Sequence, residues 1–201
     1  PLALLRENAQ NAYDAVRLRQ HLETLYNPTI VIDITPRTIT ISDNGVGMSP
    51  EDLRTHFWRG GSSSKNTPEA RAAGVVGTFG IGAMANFGVA DEVEVETESL
   101  KTGERTLSIA RKATLSVHED CIELHPLVAT GAVGTRVTAR LTGSLRVDEA
   151  IRYVKDFVSL LGVDVTANGT LISQKPVETI VAKPAAVHSL SEKSTNLGKR
   201  L

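Results

Sequence analysis

Asp43 closes the run Ile39-Thr40-Ile41-Ser42-Asp43-Asn44-Gly45-Val46-Gly47-Met48 and has the setting of a binding carboxylate. The strand end holds this carboxylate facing whatever approaches the glycines behind it, which permit positive φ and leave no side chain between backbone and ligand. A solvated turn is the plain alternative, because Asp, Asn and Gly dominate turns for conformational reasons alone. A second group lies at residues 74–88, which hold five of the sixteen glycines. A glycine-rich loop running into a helix N-terminus presents unpaired N–H groups to a phosphate. Glu7, Asn11 and Asp14 form a third group, a carboxylate, an amide and a carboxylate on one helical stripe. Such a stripe can address a metal and a water, although a stripe of polar residues is also what the solvated side of an amphipathic helix looks like.

Two familiar phosphate motifs fit poorly. Gly80-Ile-Gly82-Ala-Met-Ala85 matches GxGxxA, with Glu98 following at nearly the right distance. The preceding Val75-Val76 is too short for a buried parallel strand, however, and residues 91–98 alternate Val with Glu where a doubly wound sheet wants a continuous apolar strand. No GxxxxGK[ST] run occurs.

The elements that position these groups follow from periodicity. Leu5, Ala9, Ala12 and Val16 recur at helical spacing, which predicts a helix from Pro1 to about Leu25 with Glu7, Asn11, Asp14 and Leu18 on its opposite face. The chain starts abruptly at this helix, and an N-terminal truncation is expected. Residues 29–35 and 38–42 alternate around Pro36-Arg37, a hairpin that delivers Asp43. Ser49-Pro50-Glu51-Asp52 is a short helix start, with Ser49 as N-cap. From His56 to about Ala70 the sequence lacks periodicity and reads as a loop, either a linker or a lid over the site. Residues 106–112, 114–118, 121–127 and 135–141 read as successive antiparallel strands, and residues 147–161 as a helix. Residues 163–166 and 170–173 flank Asn168-Gly169, a two-residue hairpin signal. The stretch from Gln174 onward lacks periodicity and reads as a tail or the start of a following domain.

Composition sets outer limits. With 201 residues the chain can bury a proper core, and with 22 basic against 23 acidic residues its net charge of −1 gives no global electrostatic case for nucleic acid or an anionic membrane. The single cysteine, Cys121, excludes an internal disulfide, and no apolar run approaches the length of a membrane span. These features predict a soluble, cytoplasmic protein. His21, His56, His118, His125 and His188 lack metal-ligand spacing and read as ordinary structural or surface residues.

Four segments in order, Glu7-x-x-x-Asn11-Ala12-x-Asp14-Ala15, Asp43-Asn44-Gly45-Val46-Gly47-Met48, Gly77-Thr-Phe-Gly80-Ile-Gly82 and Gly134-Thr135, resemble the nucleotide-binding boxes of the GHKL (Bergerat-fold) ATPases. Residues 5–15, and Val76 through Gly82 with Val89-Ala90-Asp91, are similar to the ATP-binding domain of the heat-shock protein 90 chaperone family. The similarity runs from about Leu4 to Ser173 and implies an ATP-binding domain over residues 1–173, with residues 174–201 outside it. It implies an α+β fold, a two-layer α/β sandwich with a mixed, mostly antiparallel sheet and helices on one face.

The same resemblance implies ATP and Mg2+ as ligands. It casts Asp43 as acceptor for the adenine amino group, helped by Gly45, Gly47, Met48 and Thr135. It makes Asn11 the magnesium ligand, with Asp14 beside it, and Glu7 the general base for the attacking water. Gly77, Thr78, Phe79, Gly80, Ile81 and Gly82 would supply phosphate-binding amides, and Lys65 would reach the phosphates from a loop like the family's lid. Departures from the family include a shorter lid between Lys65 and Gly77, no leading strand and helix that exchange across a dimer, and no arginine from a middle domain. ATP binding with weak hydrolysis by the isolated domain is therefore expected. Client proteins and a homodimer are the partners implied for the full-length protein, without nucleic acid or membrane. The rival readings are the ATPase gate of a DNA-acting protein of the gyrase, mismatch-repair or MORC kind, a histidine-kinase catalytic domain, and a nucleotide sensor with little turnover.

Overall fold

The computed structural model describes residues 1–58, 86–115 and 121–174. Its first element is α1 (Leu2–Leu22), whose period-3.6 apolar stripe holds Leu5, Ala9, Ala12 and Val16 at 3 % exposure or less. Each fully buried Leu, Ile or Val contributes about 1.5–3 kcal/mol relative to an exposed one, so this stripe ties the helix to the sheet beneath it. The helix ends at Leu22, about three residues earlier than periodicity predicts. Glu23, in extended conformation, caps it, and Arg19 pairs with that residue's carboxylate at 2.9 Å.

The sheet has eight strands: β1 (Thr29–Ile34), β2 (Thr38–Asp43), β3 (Ala90–Glu98), β4 (Arg105–Arg111), β5 (Ile122–Leu127), β6 (Gly134–Leu141), β7 (Asp164–Ala167) and β8 (Thr170–Leu171). Their spatial order is β5-β4-β3-β6-β2-β1-β7-β8, antiparallel throughout except for the parallel pair β1–β7. The fold is therefore the expected α+β arrangement, a mixed and mostly antiparallel sheet with helices packed against it. The helix α3 (Val147–Val158) joins α1 on the covered face through Ala150, Val154 and Val158, all buried. Among the described residues no helix is long and apolar enough to cross a membrane.

Alternation within the strands sorts the two faces. Ile30, Ile32 and Ile34 of β1, Ile39 and Ile41 of β2, Val93 and Val95 of β3, and Ala139 and Leu141 of β6 point into the core. The residues between them carry Arg, Glu and Thr to the opposite face. The Asn168-Gly169 turn has φ of 45° and 78°, the left-handed values a two-residue hairpin requires.

A short helix α2 (Pro50–Asp52) opens with a complete capping box: the Ser49 hydroxyl accepts the Asp52 N–H, and the Asp52 carboxylate accepts the Ser49 N–H at 3.0 Å. It runs on as a wider π turn, Leu53–Phe57, which carries Trp58 into the core beside Phe87.

One expected strand is corrected in its described part. Residues 112–114 form a 3₁₀ turn instead of continuing into a strand at Thr114. The Thr114 hydroxyl donates to the Arg111 carbonyl at 3.1 Å, a local side-chain-to-backbone bond that competes with strand extension.

Candidate functional site

Strand register brings the first group of candidate residues together. Asp43 on β2 pairs with Thr135 on β6, and Thr135 pairs in turn with Thr97 on β3. These three residues form one row across three adjacent strands, on the face that α1 covers. The next row inward is Ile41, Val137 and Val95, and the one after it Ile39, Ala139 and Val93. Polarity thus switches within a single register step at the end of the sheet.

The Asp43 carboxyl is set by this corner. It accepts the Gly45 N–H at 2.8 Å in an Asx turn. Burial pushes its pKa up to about 7, against the opposing pull of the Gly45 and Thr135 N–H groups. Asp43 as a residue is only half-buried, but its carboxyl is desolvated enough to hold a proton near neutrality.

Two glycines are required by contact. A Cβ on Gly47, whose φ is +61°, would fall 1.9 Å from the Glu98 carbonyl oxygen. A Cβ on Gly45 would fall 2.5 Å from the Ala15 carbonyl carbon, so the loop after Asp43 and the backbone of α1 meet directly. That contact sets α1 alongside the corner, with Asn11 one helical turn before Ala15 and Glu7 one turn before Asn11. Glu7 and Asn11 are half-buried. Asp14 is not on a solvated face: it is buried and accepts a hydrogen bond from the Gln10 amide at 2.9 Å.

Several residues that build the corner are not legible as site residues in the sequence. The Thr97 hydroxyl is 1 % exposed as part of its residue, accepts the Met48 N–H at 2.9 Å, donates to the Gly134 carbonyl at 3.0 Å and lies 3.0 Å from the Thr135 hydroxyl. Glu98 anchors the turn that precedes β6. The Thr130 N–H, its hydroxyl and the Gly131 N–H all donate to the Glu98 carboxylate, and together they hold it below the usual carboxylate range. Asn44 is a structural cornerstone. Its side-chain oxygen accepts the Thr29 N–H at 2.8 Å and lies 2.7 Å from the Tyr26 hydroxyl, while its amide donates to the Asn27 carbonyl at 2.8 Å. The Arg19 guanidinium stacks on the Tyr26 ring and donates to the Asn44 carbonyl at 2.8 Å, which closes the knot behind Asp43.

The arrangement collects a desolvated carboxyl, two hydroxyls and a bare backbone at one corner, with an amide and a carboxylate one turn apart on the neighbouring helix. Asp43, Gly45, Gly47, Met48 and Thr135 are brought together there. The remaining expected residues, Lys65 and Gly77 through Gly82, lie outside the described residues. Among the described residues no cluster of three or more His, Cys, Asp or Glu side chains is placed to hold a metal.

A family model of histidine kinase-, DNA gyrase B- and HSP90-like ATPases matches residues 5–135. The chain belongs to this ATPase family. The family's match covers α1, the Asp43 loop and the strands up to Thr135, so all three residues of the polar row fall within it. Among curated proteins, the Chaperone protein HtpG of Nitratidesulfovibrio vulgaris is 33 % identical over 121 residues, half of this chain and 19 % of that protein. The HtpG of Actinobacillus pleuropneumoniae serotype 5b is 34 % identical over 140 residues, 55 % of this chain and 22 % of its own length. That of Idiomarina loihiensis is 35 % identical over 109 residues, 47 % of this chain and 17 % of its own. The aligned part of this ATPase-family chain thus spans about a fifth of the length of these relatives.

Proposed function

We propose that this chain is the ATP-binding domain of an Hsp90-like molecular chaperone, which binds ATP with Mg2+ and hydrolyses it weakly on its own. The observation that carries the reading is the polar row at the sheet end, with the desolvated Asp43 carboxyl beside glycines that leave the backbone bare. Once ionised, above about pH 7, the carboxylate held there is a ready acceptor for the exocyclic amine of adenine, and Gly45, Gly47, Met48 and Thr135 surround it. A hydrogen bond to a charged group is worth about 1.5–3 kcal/mol, enough to prefer adenine over guanine, which offers a carbonyl instead.

The donor set on α1 fits the other end of the nucleotide. Magnesium keeps several waters and needs only one or two protein oxygens, which the half-buried Asn11 side chain would supply, with the buried Asp14 one turn further along α1. When bound, the ion offsets charge on the phosphates. Glu7 takes a proton from the attacking water as the new bond to phosphorus forms and the bond to the bridging oxygen breaks, giving ADP and phosphate. The phosphate-binding roles of Lys65, Gly77, Thr78, Phe79, Gly80, Ile81 and Gly82 rest on sequence alone.

The chaperone assignment is supported by the HtpG relatives and belongs to the longer protein. Client polypeptides, a second copy of itself and a cytoplasmic setting are the context we propose for it. A DNA-acting role is less well supported, since the net charge of −1 offers no electrostatic attraction to a polyanion.

The test separates the two helical neighbours. Glu7→Ala should leave Mg-ATP affinity within a few-fold of wild type in calorimetry while phosphate release falls by about 10²–10⁴, assayed in the full-length protein. Asn11→Ala should weaken magnesium-dependent ATP binding itself. Full turnover in Glu7→Ala would return the helix stripe to an ordinary half-buried face.

A further inference from the structure

Resting on the nucleotide reading above, we infer that Thr97 is a positioning residue for base selectivity, which fixes the Thr135 hydroxyl as a hydrogen-bond acceptor toward the ligand. Thr97 Oγ1 has one proton and two lone pairs, and it lies within bonding distance of three groups. The Met48 N–H, at 2.9 Å, can only donate. The Gly134 carbonyl, at 3.0 Å, can only accept, so it takes the Thr97 proton. The remaining partner, Thr135 Oγ1 at 3.0 Å, is left with the donor role. Its proton is spent on Thr97, and its lone pairs are what it offers to anything else.

Thr97 is 1 % exposed, so water does not compete for this arrangement, and two of its three partners are backbone groups that cannot exchange roles. Asp43, the strand neighbour of Thr135 on the other side, is likewise an acceptor when ionised. Two acceptors on adjacent strands suit a base edge that carries an amino group, directly or through a water that Thr135 orients. They oppose a base that presents a carbonyl. Without Thr97, the Thr135 hydroxyl rotates and donates, and a carbonyl becomes acceptable at that position. Selectivity in the corner therefore depends on a buried residue that touches no ligand.

The test is a double-mutant cycle read by calorimetry with Mg-ATP and Mg-GTP on the 201-residue chain. Thr97→Ser keeps the hydroxyl and should keep both the ATP affinity and the ATP-to-GTP preference. Thr97→Val should lower ATP affinity by about 3- to 10-fold and shrink the preference by a similar factor. In a Thr135→Val background the same change should shift the preference by less than about 2-fold, because two residues acting as a unit are not additive. Thr97→Cys, of similar size and a weak donor, should behave as Thr97→Val does and stands in for it if the valine protein does not fold. A second readout needs no nucleotide: the Thr135 hydroxyl proton should exchange slowly with water by NMR in wild type and Thr97→Ser, and rapidly in Thr97→Val. Equal losses of ATP and GTP affinity in Thr97→Val, additivity with Thr135→Val, or a Thr135 proton that exchanges rapidly in wild type would each overturn the inference. Tight ATP binding with an unchanged preference overturns the role of Thr97 alone, whereas a wild-type chain that binds no ATP overturns the nucleotide reading and this inference with it.

Discussion

At one end of the sheet, two rows of side chains stand on neighbouring residues of the same three strands and face opposite ways. The inner row is Asp43, Thr135 and Thr97; the outer row is Ser42, Arg136 and Glu96. In the inner row Asp43 accepts a backbone N–H, and the buried Thr97 hydroxyl bonds two backbone groups and the Thr135 hydroxyl, so removing a partner of Thr97 leaves a buried polar group unpaired, at a cost of about 1–3 kcal/mol. In the outer row Arg136 reaches the Ser42 hydroxyl at 3.3 Å, and the Glu96 carboxylate is held by Arg105 at 3.2 Å, all within reach of water. Such exposed pairs are worth about 0–1 kcal/mol. One residue of translation along a strand thus separates polar groups tied to backbone partners at the covered face from polar groups that keep a surface wet.

The sharpest way to break the inner row is through its backbone. Gly47→Ala should destabilise the fold by about 3–5 kcal/mol, because the new Cβ meets the Glu98 carbonyl oxygen at 1.9 Å and the residue sits at φ +61°. Denaturant titration would measure it, and a loss below 1 kcal/mol would mean that the corner yields easily. The next effect is pH-dependent. Asp43 holds its proton up to about pH 7 when folded but ionises near 3.8 when unfolded, so its contribution is fully present below 3.8 and is lost as pH rises through about 7. Asp43→Asn cannot ionise and keeps an acceptor for the Gly45 N–H. It should therefore gain about 2–4 kcal/mol over wild type between pH 4 and pH 8. A constant difference across that range would show that the carboxyl is not desolvated.

Smaller effects lie beside the corner. Ser49→Ala removes the N-cap of α2 and should cost about 1 kcal/mol, with the loss confined to thermal stability. On the outer row, Arg136→Ala should change stability by no more than about 0.5 kcal/mol, and raising the salt should erase even that. A loss comparable to that of the inner row would remove the contrast between the two faces.

The parts of the fold that were legible in the sequence are those fixed by local pattern. The α1 stripe at Leu5, Ala9, Ala12 and Val16, the hairpin delivering Asp43 and the Asn168-Gly169 turn all follow from periodicity and turn chemistry. The strand expected to begin at Thr114 did not, because Thr114 lies in a 3₁₀ turn and its hydroxyl bonds the Arg111 carbonyl instead of pairing in a ladder. Asp43 announced itself through its glycines. Thr97 did carry a signal, since it occupies the inward parity after Val93 and Val95 where an apolar residue is expected. Its meaning depends on register: only when β3 and β2 both pair with β6 do Thr97, Thr135 and Asp43 fall into one row. Glu98 and the knot of Arg19, Tyr26 and Asn44 were illegible for the same reason, each joining segments distant in the chain.

The central claim, that this corner reads adenine through Asp43, is most directly tested by calorimetry of Mg-ATP and Mg-GTP against wild type and Asp43→Asn at pH 8, where the wild-type carboxyl is ionised. ATP should bind the wild type well ahead of GTP, and Asp43→Asn should lose about 30- to 150-fold in ATP affinity, the equivalent of about 2–3 kcal/mol. Equal binding of the two nucleotides by the wild type, or undiminished ATP binding by Asp43→Asn, would contradict it.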